Sequence, residues 1–173
     1  MVEFDHVIRY INQHLDQQER VVIAISGFGG SGKSTLANQL QDHFKLEKDQ
    51  IIHIDYLYND AWDGPGIFDQ SDWRLVEEIL QNIQAAKNLA YTGRDYLRKP
   101  VHINTALPKV VIIEGVRLLQ SKLMHYFDLS IWMDFPQEIA LERAKARDRL
   151  QGESGDMISK WDTDWGGKGS LVF

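Results

Sequence analysis

The chain has 173 residues, a length that fits a single domain with a sizeable core. Hydrophobic residues make up 43% and charged residues 25% of the sequence, which is typical of a globular protein and excludes a disordered one. Because there is no cysteine, disulfides and thiolate metal sites are excluded, and the net charge of −6 argues against a nucleic-acid partner.

The apolar runs of the sequence are short. The longest, at residues 21–25 and 110–113, cannot span a bilayer. The N-terminus has neither the basic nor the apolar region of a signal peptide. We therefore predict a cytoplasmic protein without a membrane partner, and the sequence indicates no oligomeric state.

The first third of the chain alternates helical and strand patterns. Apolar residues at helical spacing predict an amphipathic helix over residues 3–17, and a β-branched run predicts a buried strand over 20–26. A glycine-rich loop over 27–32 leads into a helix over 33–44. A second strand is predicted over 50–54, and it ends next to an aspartate.

The rest of the chain continues this alternation after a long loop. Turn-forming pairs predict a loop over residues 56–68, a helix follows over 69–86, and residues 88–107 are irregular or form a pair of short strands. The remaining elements, in chain order, are a strand over 109–113, a helix over 117–126, a strand over 129–133 and a helix over 136–150.

Strands that alternate with helices predict an α/β fold with a mostly parallel sheet covered by helices on both faces, a three-layer sandwich. Ligands of such sheets bind at the carboxyl ends of the strands. We expect one domain over residues 1–173. Its parts are an N-terminal helix at 3–17, a core at 20–150, and a lid and C-terminal segment at 143–173.

The glycine-rich loop and the two residues after it match the pattern G-x-x-x-x-G-K-[ST] at every fixed position, which predicts a P-loop NTPase fold. Its glycines let backbone N–H groups surround phosphate oxygens at a helix N-terminus. Lys33 would reach the β- and γ-phosphates, and Ser34 would bind Mg²⁺. The alternative is a glycine-rich turn with an exposed lysine. The residues predicted to bind ATP, or another nucleoside triphosphate, are Gly27, Gly29, Gly30, Ser31, Gly32, Lys33, Ser34 and Thr35.

Two carboxylates directly follow predicted strands. Asp55 ends the second strand, where it could accept the proton of an attacking hydroxyl or hold Mg²⁺ through water, although Asp is also common at turns. Glu114 ends a β-branched run, the arrangement that binds the metal together with the P-loop serine, or it faces solvent or caps a helix. His53 is interpreted as a core or neighbour-face histidine.

Arg143 and Arg147 lie one turn apart on one face of the predicted helix over 136–150. Beside a triphosphate they could stabilise charge on the transferring phosphoryl group, as arginine fingers do. They are therefore catalytic candidates together with Lys33 and Asp55. The alternative is a solvated face on which they pair with acidic residues of the same helix.

The loop over 56–68 and its borders combine aromatic and acidic side chains. Rings offer a stacking surface and carboxylates can fix sugar hydroxyls, which would suit a nucleoside. An ordinary small core that holds the loop in place is the alternative. The residues concerned are Tyr56, Tyr58, Trp62, Asp63, Phe68 and Asp69.

Taken in order, these segments resemble the uridine kinase and nicotinamide riboside kinase group of P-loop kinases, over about residues 20–165. The chain is most similar to bacterial uridine kinase-like proteins that carry the stretch Trp-Asp-Gly-Pro-Gly-Ile-Phe-Asp. The segments that carry the resemblance are residues 26–35, 54–58, 62–69, 111–115 and 131–134, the last followed by the arginine-bearing helix.

The resemblance implies an ATP- and Mg²⁺-dependent kinase that phosphorylates a small-molecule hydroxyl, foremost the 5′-hydroxyl of uridine or a similar nucleoside. Asp55 would be its general base, Ser34 and Glu114 its Mg²⁺ ligands, and the arginine-bearing helix its lid. Other acceptors are nicotinamide riboside, pantothenate or a sugar, and a slowly hydrolysing or non-catalytic nucleotide-binding module is the alternative function. The substrate-side residues implied by the resemblance are Tyr58, Phe68, Asp69 and Arg94.

Three segments depart from the family pattern. Tyr56 stands where many relatives have a second Asp or a Ser, and residues 94–98 match the family's substrate segment poorly. Residues 166–173 replace the further helix and strand of the relatives, so the resemblance implies a shortened C-terminus.

Overall fold

The computed structural model describes residues 4–59, 70–95 and 99–165. The helices are α1 Phe4–Leu15, α2 Lys33–Phe44, α3 Trp73–Gln84, α4 Gln137–Leu150 and α5 Gly155–Lys160. The strands are β1 Val21–Gly27, β2 Ile51–His53, β3 Leu89–Arg94, β4 Pro100–Thr105, β5 Val110–Glu114 and β6 Leu129–Met133. Shorter helices are the 3-10 turns Lys48–Gln50, Ile54–Tyr56 and Met124–Tyr126 and the π-helix Trp161–Trp165.

The central sheet has four parallel strands in the order β2-β5-β1-β6. Every residue of β1 and β5 is buried, because these inner strands are covered on both faces and consist largely of β-branched residues that pack well on a pleated surface. Since β1, β2 and β5 run in one direction, the loops that follow them meet at one edge. The predicted α/β architecture is therefore confirmed.

Side chains that alternate along the strands supply two separate cores, one on each face of the sheet. On one face the strands pack against α1 and α2, whose buried residues include Ile11 and Leu40. On the other face they pack against α3, whose buried stripe includes Val76 and Leu80. Helices on both faces complete the three-layer sandwich.

Helix α3 begins later than the predicted residue 69, because Asp72 caps it and accepts a hydrogen bond from the Leu75 backbone N–H at 3.0 Å. Residues 88–107 contain the second of the two predicted alternatives, an antiparallel pair of strands, β3 and β4. This hairpin contacts the chain after β2, where the Tyr58 N–H donates to the Arg94 carbonyl oxygen at 2.9 Å.

The helix predicted over residues 117–126 is wrong. This segment consists of turns and a short 3-10 helix, and Arg117 has a φ of 57°, in the left-handed region. Leu118 and Leu123 are both fully buried, yet residues five apart do not share a helical face, so an irregular path buries both. The Ser26 hydroxyl fixes this path, since it donates to the Gly115 carbonyl and accepts from the Leu118 N–H.

Within residues 4–59, 70–95 and 99–165, none of the helices has the length and apolar character that a membrane-spanning helix requires.

Candidate active site

The glycine-rich loop connects the buried end of β1 to the start of α2, as the motif requires. Lys33 is the first residue of α2, only 8% exposed, and its Nζ donates to the Phe28 carbonyl oxygen at 2.9 Å. Burial lowers the pKa of the Lys33 ammonium, while the negative charges of Glu114 and Asp55 oppose this shift. The lysine charge is thus held at the loop, close to both strand-end carboxylates.

Ser31 is the one buried polar side chain of the loop whose hydroxyl has no hydrogen-bond partner among the residues that the structure describes. A buried hydroxyl without a partner is costly, and a phosphate oxygen is an acceptor that would satisfy it. Ser34 and Thr35, in the first turn of α2, are exposed. The loop therefore fits a phosphate group.

Ser34 and Glu114 lie together at the strand ends. The Ser34 Oγ donates to Glu114 Oε1 at 3.2 Å, and Glu114 is 4% exposed. A hydroxyl beside a carboxylate fits Mg²⁺, which usually takes one or two carboxylates together with phosphate oxygens. Across the described ranges, no group of three or more His, Cys, Asp or Glu side chains is placed to hold a metal ion.

His53 is a site residue that sequence reasoning missed. Its Nδ1 lies 2.7 Å from Glu114 Oε1, because parallel pairing of β2 with β5 puts His53 directly beside Glu114. The contact holds the carboxylate that also accepts from Ser34. Alternation of His53 with Ile52 and Ile54 indicated a neighbour-facing side chain, but the register that gives it this partner is not readable from a single strand.

Asp55 follows β2 within the short 3-10 helix Ile54–Tyr56. The chain after β5 passes so close to Ile54 that a Cβ at Gly115 would overlap that side chain, which brings the ends of β2 and β5 together. Asp55 is exposed, yet the protein around it removes hydration from its carboxylate. This environment raises the pKa of Asp55, Glu114 raises it further, and Lys33 opposes both.

The two candidate arginines of α4 differ in their surroundings. The Arg147 guanidinium lies over Trp161, with its Cζ 6.0 Å from the ring centre, and its positive charge adds to the lowering of the Lys33 pKa and opposes the raising of the Asp55 pKa. Arg143 instead lies over the ring of Phe135, with its Cζ 4.3 Å from the ring centre. Although the two arginines are one helical turn apart, their side chains therefore contact different residues.

Two of the four predicted substrate-side residues are brought together. Tyr58 and Arg94 are half-buried and joined through their backbones, at the junction of the hairpin with the chain after Asp55. Phe68 and Asp69 lie outside the described residues. Tyr56 is 40% exposed beside the site, and its ring packs edge-on against His53 at 5.0 Å.

Known proteins are similar to this chain over most of its length. The sequence profile of a P-loop family described as an AAA domain matches residues 23–159. A uridine kinase of Pectobacterium atrosepticum is 31% identical over 156 residues, which cover 80% of this chain and 73% of that protein. The chain belongs to the uridine kinase-like P-loop kinases.

A second relative and one solved structure are also similar to the chain. A uridine kinase of Clostridium novyi is 28% identical over 155 residues, or 80% of this chain and 73% of the relative. A solved structure described as a "putative fructose transport system kinase" from Silicibacter sp. TM1040 superposes with a TM-score of 0.74 at 23% identity. It covers 96% of this chain and 91% of its own, which supports the fold. This P-loop kinase is accordingly a nucleotide-using phosphotransferase that acts on a small molecule.

Proposed function

We propose that this P-loop kinase uses ATP with Mg²⁺ to phosphorylate the 5′-hydroxyl of uridine or a similar nucleoside. The observation that carries the proposal is that Lys33, Asp55 and the Ser34–Glu114 pair meet where β1, β2 and β5 end. These are the parts that transfer of a phosphoryl group to a hydroxyl needs: a phosphate-binding cation, a proton acceptor and oxygen ligands for a metal.

Each group has one role in the proposed reaction. Lys33 binds the transferring phosphate and offsets the charge that develops on it. Asp55 accepts the proton of the 5′-hydroxyl while that oxygen bonds to the γ-phosphorus and the bond to the β-phosphate oxygen breaks. When bound by Ser34 and Glu114, Mg²⁺ supplies charge neutralisation at the phosphates. Because Asp55 has a raised pKa, it is a stronger base than an ordinary aspartate.

The acceptor is inferred from two observations. The relatives described above carry the name uridine kinase at 28% and 31% identity. In this chain, Tyr56, Tyr58 and Arg94 lie on the side of Asp55 that the hairpin borders, where rings can stack on a base and a cation can meet polar groups of a nucleoside.

A coupled assay of ADP release tests the proposal. The purified protein is given ATP and Mg²⁺ with uridine, cytidine, nicotinamide riboside, pantothenate or simple sugars in turn. We expect ADP release that depends on uridine or cytidine. As a matched control, 5′-deoxyuridine offers the same base and ring but no 5′-hydroxyl, so it should leave the rate at background.

Two outcomes would contradict parts of the proposal. ADP release that is the same with and without every acceptor would indicate a nucleotide-hydrolysing module. Turnover with pantothenate or a sugar but not with nucleosides would keep the kinase chemistry and reject the nucleoside. Lys33→Ala protein serves as the blank for contaminating kinases.

A further inference from the structure

We propose that Asp148 is a positioning residue, which holds the Arg147 guanidinium beside the P-loop and is itself held by Trp161 of the C-terminal segment. The inference deepens the proposed function and rests on it, because the positioned arginine acts on the transferring phosphate. Neither Asp148 nor Trp161 carries a signal in the sequence that marks it as part of a site.

Asp148 is buried on a helix whose arginines are exposed. The residue is 7% exposed, and both of its carboxylate oxygens have partners. Oδ1 accepts from the Nε and Nη2 atoms of Arg147 at 2.9 and 2.7 Å, and Oδ2 accepts from Trp161 Nε1 at 2.6 Å. Burial of a carboxylate is costly unless its oxygens are paired, so the contacts with Arg147 and Trp161 together offset the cost of burying Asp148.

The pairing of Arg147 with its direct neighbour is unusual for a helix. Successive residues of a helix point about 100° apart and do not face each other. An unrestrained arginine, here with a side chain 55% exposed, would extend into solvent. The two-point contact with Asp148 instead holds the guanidinium beside Trp161, with its Cζ 6.0 Å from the centre of the ring that covers Gly29 of the P-loop. Arg143 has no such carboxylate contact within the described residues and lies over the Phe135 ring.

Trp161 fixes the far side of Asp148 to the P-loop. A Cβ at Gly29 would overlap the Trp161 indole, so the ring lies directly on the phosphate-binding loop. The neighbouring Asp162 pairs with Lys145 of α4 at 2.5 Å, which keeps the π-helix on α4. Contacts from Gly29 through Trp161 and Asp148 to Arg147 thus connect the P-loop to the guanidinium.

The decisive experiment is a double-mutant cycle on kcat. Asp148→Asn should lower kcat about tenfold, as loss of one charge-assisted contact does, with a smaller change in KM for ATP. In an Arg147→Ala background the same substitution should change kcat little, because its effect passes through Arg147. Equal losses in both backgrounds would overturn the proposal, since Asp148 would then act independently of the arginine.

Two further variants separate positioning from folding. Trp161→Phe keeps a ring against Gly29 but removes the indole N–H, and we expect it to lower kcat less than Asp148→Asn without lowering the melting temperature to the same degree. Asp156→Asn, on the exposed side of α5, is the matched control and should leave kcat unchanged. Loss of thermal stability in Asp148→Asn that accounts for the whole loss of activity would contradict positioning.

A measurement that needs no acceptor keeps this inference separate from the proposed function. The Arg147 Nε–H resonance, assigned by its loss in Arg147→Ala, should be sharp and protected from solvent exchange in the native protein. In Asp148→Asn it should exchange faster. An unchanged resonance in Asp148→Asn would overturn the inference even if uridine is a substrate, and a changed one would support it even if the acceptor is another alcohol.

Discussion

The proposed phosphate site has two sides that are built differently. We call Lys33, Ser34, Asp55 and Glu114 the floor, and Arg147, Asp148 and Trp161 the cover. Floor residues lie on or directly after buried strands and at the start of α2, so the sheet fixes their positions. Cover residues lie on α4 and the π-helix, and side-chain contacts to one another fix them.

This difference predicts where changes should matter most. The backbone of the floor is held by two cores, so a substitution there removes one chemical group and leaves the others in place. The cover has few buried apolar residues, and its geometry depends on polar contacts that water can replace. Floor substitutions should therefore cost more activity than cover substitutions, and the predictions below test that order.

The largest effect is expected for Asp55→Asn. The amide cannot accept a proton, so kcat should fall by about 10²–10⁴-fold, while ATP·Mg²⁺ binds with nearly unchanged affinity in calorimetry. Asp49→Asn, an exposed aspartate just before β2, is the matched control. Normal turnover of the Asp55 variant would reduce Asp55 to a turn residue.

Lys33→Ala and Ser34→Ala should come next. Each removes one group that stabilises charge at the phosphates, directly or through the metal, so we expect kcat to fall by about 10²–10³-fold. Steady-state kinetics at saturating acceptor measure the loss, and Lys48→Ala, an exposed lysine outside the loop, should behave as the native protein. Near-normal phosphorylation by Lys33→Ala protein would remove the P-loop from the mechanism.

His53→Ala should weaken Mg²⁺ more than it slows chemistry. Because His53 orients the carboxylate of Glu114, its loss should raise the Mg²⁺ concentration for half-maximal rate by about 10–100-fold, as for other groups that hold a metal ligand. A Mg²⁺ titration at fixed ATP measures this value. His102→Ala, on the exposed face of β4, controls for loss of a histidine, and an unshifted titration would leave His53 a packing residue.

The two arginines of α4 give the smallest and most specific comparison. Arg147→Ala should lower kcat about tenfold, the value of one hydrogen bond to a charged group. Arg143→Ala, which loses its contact with Phe135, should stay within about threefold. The loss of kcat is measured for both variants at saturating ATP. Equal losses, or a larger loss in Arg143→Ala, would show that Arg147 matters no more to catalysis than Arg143.

The floor was largely predictable from the sequence. Runs of β-branched residues predicted the inner strands, and the spacing of glycines within one short segment predicted the phosphate-binding loop. Asp55 and Glu114 were found because they directly follow such runs. How close they come to Lys33 was inferred from the rule that parallel strands end at one edge.

The cover was not predictable, because its contacts either join residues distant in the chain or, like the pairing of Arg147 with Asp148, depart from the usual spacing of helical pairs. Asp148 meets Trp161 thirteen positions later, and Trp161 meets Gly29 from the other end of the chain. Likewise, His53 required the register of β2 against β5. The predicted helix at 117–126 failed for the related reason that burial against the sheet outweighed local helical preference.

Gly30 touches the backbone of α4, and this contact is the pivot about which the cover would tilt. A Cβ at Gly30, where φ is 79°, would overlap the Ala140 carbonyl oxygen, so loop and helix backbones touch at that point. Arg147 lies seven residues further along α4, a lever arm of about 10 Å at 1.5 Å per residue. Any tilt of the helix about Gly30 is therefore magnified at the guanidinium, and a tilt of roughly 10° would displace it by about 2 Å. A bulkier residue at position 30 would move this pivot and so displace Arg147.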